Sequence, residues 1–159
     1  MCNKKVDLPV IIDDMTSNDL SAVMAIEQVS FPTPWTAGMF ERELESPHSY
    51  RLCARVNIEN GTTVAAYIIF WLVADEIHLH DLAVGKPYRG RGVALRLMEE
   101  MKDIAWRNKV RAMTLEVRES NIEAIKLYQK CGFVVKGIRK FYYPDTREDA
   151  LIMWADVNA

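Results

Sequence analysis

The chain has 159 residues, of which 50% are hydrophobic and 26% charged, with a formal net charge of -2 and a sequence pI of about 5.9. This length fits one domain with a substantial core, so we expect a single domain over residues 1–159. The acidic net charge argues against a nucleic-acid binder. The chain has neither an apolar run of about 18 residues nor a secretory leader. These two features predict a cytoplasmic protein without a membrane span.

The first part of the chain predicts a strand followed by two helices. Residues 10–12 form a short β-branched run typical of a strand. The segment TSNDLSAVMAIEQVSF has apolar residues at helical spacing, and Thr16 or Ser17 can cap that helix. The prolines of FPTPW end it. Thr36 can cap a second short helix that runs to Leu44.

The middle of the chain predicts three consecutive strands. The apolar runs YRLCARV and TTVAAYIIFWLV flank Asn60-Gly61, a strong signal for a hairpin turn. The segment EIHLHDLAV alternates apolar and polar residues and predicts the third strand.

The second half alternates strands with helices. A long apolar stripe predicts a helix over residues 92–108. RAMTLEVRES alternates like a strand, with Thr114, Glu116 and Arg118 on its polar face. A short helix follows, for which Ser120 and Glu123 fit a capping box. FVVKGIRKFYY and EDALIMWADV predict two final strands. Strands that come both in a run and between helices predict a mixed sheet covered by helices, an α/β domain.

The segment VGKPYRGRGVALRLMEEM places glycines and the cations Lys86, Arg89 and Arg91 directly before the long helix. The first amides of a helix have no intrahelical partner, and glycines allow close approach to the backbone, so this loop is suited to a phosphate. An ordinary glycine-rich connection with solvated arginines explains the loop equally well. The segment is neither a Walker A motif nor G-x-G-x-x-G.

The same loop resembles the R-x-x-G-x-A loop of the GNAT N-acetyltransferases, with Arg89, Gly92 and Ala94 at the three diagnostic positions. LEVRESNIEAIKLYQKCGF resembles the second signature of that family. YYPDTREDALIMW and FPTPW resemble segments of one branch, the ribosomal-protein-alanine (RimI-type) N-acetyltransferases. The chain departs from that branch by two extra residues in FPTPW and by Asp81 where Asn is frequent.

The resemblance implies the GNAT fold, a mixed, mostly antiparallel sheet of about seven strands that is splayed in the middle and flanked by about four helices. It implies acetyl-CoA as the co-substrate, with no metal, and the N-terminal peptide of a ribosomal protein as the acceptor, with no direct nucleic-acid or membrane partner. It assigns Glu116 as general base and Tyr128 as general acid. The coenzyme contacts that it implies are Leu82, Ala83 and Val84 in the strand, Arg89, Gly90, Arg91, Gly92, Val93, Ala94 and Leu95 in the loop, and Asn121.

Other functions stay open at this point. The acceptor amine can be a lysine or a small molecule instead of an α-amine, and the chain can be a coenzyme A-binding module without turnover. We expect Cys2, Cys53 and Cys131 to be reduced and not catalytic, which favours direct transfer in a ternary complex over a covalent route. His78 and His80 share a strand face, but no third metal ligand is evident.

Overall fold

Strands and helices form close to the predicted positions. A computed structural model of the chain describes residues 7–157. The elements are β1 (Ile11–Asp14), α1 (Leu20–Ser30), α2 (Ala37–Glu45), β2 (Ser49–Ile58), β3 (Gly61–Val73), β4 (Glu76–Val84), α3 (Val93–Arg107), β5 (Ala112–Arg118), α4 (Ile122–Lys130), β6 (Val134–Tyr143) and β7 (Glu148–Asp156), with 3-10 turns at Ser17–Asp19 and Lys86–Tyr88.

The strands form a mixed sheet with the order β1-β2-β3-β4-β5-β7-β6. β1 pairs antiparallel with β2, and β7 pairs antiparallel with both β5 and β6. β4 and β5 are parallel, pairing from Glu76 with Ala112 to Leu79 with Leu115. A parallel pair needs a crossover connection, and α3 supplies it. Over residues 7–157, seven strands and four α-helices confirm the predicted α/β class.

The contacts of the chain divide it into two compact units, the first with residues up to 69 and 81–97, the second with 70–80 and the residues from 98 onward. The expectation of a single domain stays a prediction.

Of the predicted helix caps, the one at Thr36 forms at the start of α2, where its hydroxyl accepts from the Met39 amide at 3.3 Å. Thr16 caps the 3-10 turn that leads into α1, and its amide donates to the Asp19 carboxylate at 2.8 Å, whereas α1 itself has Asp19 at its N-cap without a side-chain cap bond. The prediction that Ser120 caps α4 is wrong. Asn121 caps that helix, because its Oδ1 accepts from the Ala124 amide at 3.3 Å. The Ser120 hydroxyl is hydrogen-bonded to Glu148 instead.

The core of the first unit packs α1 and α2 against strands β2 to β4. Phe40 is 1% exposed, and its ring lies edge-on to Tyr67 at 6.0 Å. Because aromatic side chains bury more apolar surface than most other residues, these two rings contribute strongly to the core. The buried residues of this cluster are Met15, Val23, Ile26, Phe40, Cys53, Val64, Tyr67, Ile69 and Ala83.

The core of the second unit surrounds β5, which is buried on both faces over much of its length. Met113 and Leu115 are buried, as the alternation predicts. Thr114 is buried as well, and its hydroxyl donates to the Met153 carbonyl at 3.0 Å. The face predicted to be polar therefore meets solvent only from Glu116 onward.

Candidate active site

The predicted anion-binding loop lies in the first unit, between the end of β4 at Val84 and the start of α3 at Val93. Gly90 and Gly92 have φ values of +71° and +79°. These values fall in the left-handed region, which residues with a Cβ rarely adopt. The two glycines let the chain turn directly into the helix, whose first amides have no intrahelical partner. The loop therefore combines the features from which phosphate binding was predicted, left-handed glycines and the start of a helix.

The Arg89 side chain stabilises this loop through two hydrogen bonds. Its Nε donates to the Val84 carbonyl at 2.8 Å, and its Nη2 donates to the Ser30 hydroxyl at 3.1 Å. The guanidinium thus ties the end of β4 and the end of α1 to the loop. Loss of Arg89 would disturb the backbone of the loop as well as remove a positive charge.

The segment before β1 lies over the same loop. The Leu8 amide donates to the Arg91 carbonyl at 3.0 Å. The Asp7 carboxylate is the group nearest to Gly92, with Oδ1 at 2.9 Å from the position where a Cβ would stand. A carboxylate at the beginning of a helix is stabilised by the helix dipole, so the start of α3 already has an anion beside it.

The residues of β4 that precede the loop include the predicted coenzyme contacts 82–84. The Ala83 side chain is buried in the core, whereas the flanking Leu82 and Val84 are half-buried. The Gly85 amide donates to the Ala65 carbonyl at 2.7 Å and fixes the end of β4 against β3. The backbone of residues 82–84 is therefore held in place before the turn begins.

The first unit also contains a buried acidic cluster that the sequence reading missed. Glu27 is 1% exposed, and its carboxylate accepts from the Tyr67 hydroxyl and, at 3.0 Å, from the Trp35 amide. Asp81 is 6% exposed, and its carboxyl group is hydrogen-bonded to that of Glu27. Burial, followed by the proximity of Asp81 and Glu27, raises the pKa of the Tyr67 hydroxyl. The cluster fixes the end of the FPTPW segment to α1 and β3.

Glu116, the predicted general base, is in the second unit on β5, with its side chain 29% exposed. Arg139 of β6 contacts it, with Nε at 2.8 Å from Glu116 Oε1. A hydrogen bond to Glu116, together with burial, raises the pKa of the Tyr142 hydroxyl. Two β6 side chains thus meet one carboxylate, and neither was among the predicted site residues.

Tyr128, the predicted general acid, is on α4 in the same unit and is 9% exposed. Its ring lies 6.0 Å from that of Phe133, and its carbonyl accepts from the Phe133 amide at 3.0 Å. The helix ends there with Gly132 at φ +94°. These contacts fix the direction of the phenol ring, as a proton donor needs. Asn121 caps the start of the same helix, which is the alternative role that its position allows.

Neither described thiol has the character of a nucleophile. Burial raises the pKa of Cys53 to about 12 and raises that of the half-buried Cys131 as well. A thiol with a raised pKa has little thiolate at neutral pH and reacts slowly. Cys2 lies outside the described residues.

His78 and His80 have structural partners. His78 lies 3.3 Å from Glu76, and the His80 ring packs against Trp71 at 4.6 Å. Over residues 7–157, no three His, Cys, Asp or Glu side chains are grouped as a metal would require. No helix in that range is long and apolar enough to cross a membrane.

The structure therefore distributes the predicted site residues in two sets. Residues 82–84 and 89–95 belong to the first unit, and Glu116, Asn121 and Tyr128 belong to the second. Arg139 and Tyr142, which were not predicted from the sequence, do not belong to a recognisable motif. Arg139 and Tyr142 are three positions apart on a strand, a spacing that normally places side chains on opposite faces.

Comparison with known proteins gives one consistent family. The model of the Acetyltransferase (GNAT) family matches residues 20–133. The [ribosomal protein bS18]-alanine N-acetyltransferase of Escherichia coli K12 is 37% identical over 89% of this chain and 94% of its own length. The N-alpha-acetyltransferase RimI of Mycobacterium tuberculosis is 33% identical over 93% of each chain. The crystal structure of the ribosomal-protein-S18-alanine N-acetyltransferase from Escherichia coli superposes with a TM-score of 0.83 over 95% of this chain and 96% of that one, at 31% identity.

Proposed function

This chain belongs to the GNAT acetyltransferase family, and from that premise we propose that it acetylates the N-terminal alanine of a ribosomal protein. Membership confirms the resemblance drawn from the motifs. The chain is an acyltransferase, and acetyl-CoA is its acetyl donor. The acceptor is the proposed part, and its support is the similarity to relatives named as acting on ribosomal protein bS18. Such an acceptor implies a cytoplasmic location for the enzyme.

The proposed chemistry uses Glu116 and Tyr128. An α-ammonium group must lose a proton before its nitrogen can attack the thioester carbonyl. Because an α-amino group has a pKa of about 8, a carboxylate is a sufficient base at neutral pH. Glu116 accepts that proton. The departing sulfur of coenzyme A needs a proton in return, and the Tyr128 hydroxyl donates it.

The loop supplies binding and orientation. The amides at the start of α3 hold the pyrophosphate of coenzyme A, and the backbone of residues 82–84 orients the pantetheine arm beside them. A fixed donor and a fixed acceptor convert the transfer into an intramolecular step, which lowers the entropic part of the barrier.

Direct transfer is favoured over a covalent acetyl-enzyme. A covalent route needs an activated nucleophile. Cys53 and Cys131 both have raised pKa values, so neither is activated. We therefore propose that both substrates are bound together when the acetyl group moves.

A peptide panel tests the acceptor. Purified protein is incubated with acetyl-CoA and with peptides that begin with alanine, followed by the sequence of a ribosomal protein, and acetylation is located by mass spectrometry. Matched peptides carry a blocked N-terminus with a free internal lysine, or a free N-terminus other than alanine. We expect α-acetylation of the alanine peptides to dominate. Acetylation confined to lysine or to small amines would overturn the proposal and favour the alternative acceptors.

A further inference from the structure

Two side chains of β6 meet the carboxylate of Glu116 although a regular strand would separate them. Arg139 contacts Glu116 at 2.8 Å, and the Tyr142 hydroxyl is hydrogen-bonded to the same group. Side chains three positions apart in a strand point to opposite faces. An irregularity in the backbone of β6 must therefore rotate the chain between Arg139 and Tyr142.

A bulge in β6 provides that rotation. Arg139 pairs with Ala150 and Tyr143 pairs with Glu148, so residues 140–142 of β6 lie opposite Asp149 alone. Phe141, inside the bulge, has φ +52°, a conformation that is rare for an aromatic residue. Bulges of this kind redirect a side chain and are frequent beside active sites.

Asp149 of β7 fixes the bulge. Its Oδ1 accepts from the Phe141 amide at 3.0 Å, and its Oδ2 lies 3.1 Å from Lys140 Nζ. The hydrogen bond from the Phe141 amide, followed by that from Lys140, lowers the pKa of the Asp149 carboxyl. Asp149 therefore stays ionised at neutral pH and holds the unusual backbone in place.

We propose that Arg139 and Tyr142 are positioning residues for acetyl transfer: they hold the Glu116 carboxylate in one orientation. A guanidinium and a phenol both donate to a carboxylate, and two such neighbours restrict its rotation. A base held in one orientation can accept the proton of an incoming amine without first being reordered. The inference rests on the proposed base function of Glu116.

The other charged and titratable groups around Glu116 do not replace Arg139. On β5 itself, Arg118 is occupied by Asp145 at 2.7 Å and Glu148 at 3.3 Å, and its guanidinium lies over the Tyr143 ring at 4.0 Å. Burial is the main cause that raises the pKa of Tyr143 to about 12. The β7 residue that pairs with Glu116 is Ile152, which has no charge. Arg139 is thus the cation in direct contact with Glu116 in the described part of the second unit.

The test compares variants of the two β6 side chains with a matched control. The variants are Arg139→Ala, Arg139→Lys and Tyr142→Phe, with Lys136→Ala as the matched control. Lys136 is exposed on the same strand, so its removal changes the net charge equally without touching Glu116. Circular dichroism establishes that each variant folds, and Arg139→Gln replaces Arg139→Ala if that protein does not fold.

The first readout separates kcat from KM for acetyl transfer to whichever amine the wild type accepts. In Arg139→Ala we expect kcat to fall about tenfold and the KM for acetyl-CoA to stay constant. Lys136→Ala should match the wild type, and Arg139→Lys should restore part of kcat. A wild-type kcat in Arg139→Ala would overturn the inference.

The second readout is a double-mutant cycle with Glu116→Gln. Because Arg139 is proposed to act through Glu116, adding Arg139→Ala to Glu116→Gln should lower kcat little further. A further tenfold loss contradicts a role through Glu116. Failure of the wild type on alanine peptides would count against the proposed function alone, because both readouts use whichever amine the wild type accepts.

Discussion

The carboxyl group of Asp81 is hydrogen-bonded to that of Glu27 in the interior of the first unit, where both residues are less than 9% exposed. Burial first, and then the bond to Glu27, raise the pKa of Asp81 far above the usual value for aspartate. Asp81 therefore carries a proton at neutral pH. Its Oδ2 is buried without a hydrogen-bond partner, so burial of this carboxyl group lowers the free energy of unfolding.

Replacing Asp81 with asparagine should stabilise the protein. In the unfolded chain an aspartate releases its proton near pH 4, whereas folded Asp81 retains it to much higher pH. The folded state then binds the extra proton, so the free energy of unfolding falls as the pH rises from about 4. Asparagine does not titrate and can still donate to Glu27. We expect Asp81→Asn to gain about 1–3 kcal/mol at pH 7 and almost nothing near pH 4.

Urea unfolding at several pH values measures this effect. Asp103→Asn is the matched control, because Asp103 is exposed on α3 and its loss should change stability little at any pH. A gain in Asp81→Asn that does not depend on pH would contradict the protonated carboxyl.

This pair illustrates why part of the site could not be predicted from sequence. Glu116 and Tyr128 lie in a local motif, and the strand and helix that present them have clear periodicity. Glu27 and Asp81 are more than fifty positions apart, and each alone reads as an ordinary polar residue. Only the packing of α1 against the sheet brings them together. The bulge at Phe141 could not be predicted from the sequence either, since an aromatic residue gives no local signal for a positive φ.

Tyr128→Phe should separate catalysis from folding. The substitution removes one hydroxyl from a ring that is 9% exposed and keeps its packing against Phe133. We expect nearly unchanged thermal stability and coenzyme affinity, with kcat lower by roughly 10²- to 10⁴-fold, the usual contribution of a general acid. Single-turnover kinetics would identify the chemical step. A wild-type rate for that step would remove Tyr128 from the mechanism.

Glu116→Gln should have an effect that depends on the acceptor. An α-amine with a pKa of about 8 is partly deprotonated at neutral pH, whereas a lysine with a pKa of about 10.4 is almost fully protonated. We therefore expect a smaller loss of kcat than for Tyr128→Phe on α-amine peptides, and a flatter acidic limb of the pH–rate profile. The comparison uses paired peptides that differ only in which amine is free. Equal losses on both would argue against Glu116 as the base.

Gly92→Val should weaken coenzyme binding. Valine is strained at φ +79°, and its side chain would occupy the approach to the backbone. The Asp7 side chain that it would meet can move aside, so the strain of the backbone is the main effect. We expect at least a tenfold loss of affinity for coenzyme A by calorimetry, equivalent to about 1.4 kcal/mol. Gly38→Ala on α2 is the control, since its new Cβ meets nothing closer than 3.9 Å.

Removal of all three thiols should leave activity almost intact. Cys53 is fully buried, so alanine is the suitable replacement there, while serine serves at positions 2 and 131. We expect some loss of stability from the small cavity at Cys53 and a nearly unchanged kcat. Mass spectrometry during turnover offers an independent check. An acetylated cysteine that forms and decays at the rate of turnover would establish a covalent route.

The position of β6 at the end of the sheet gives its bulge a second consequence, for solubility. An edge strand exposes unpaired backbone groups to which another chain can add, and β6 also exposes Val134, Ile138 and Phe141. The distorted backbone around Phe141 interrupts the flat edge that such an addition needs. The positive charge of Lys136, which is exposed on this strand, would repel the same residue of a second copy. The feature that aims two side chains at Glu116 therefore also protects this enzyme from aggregation through its own sheet.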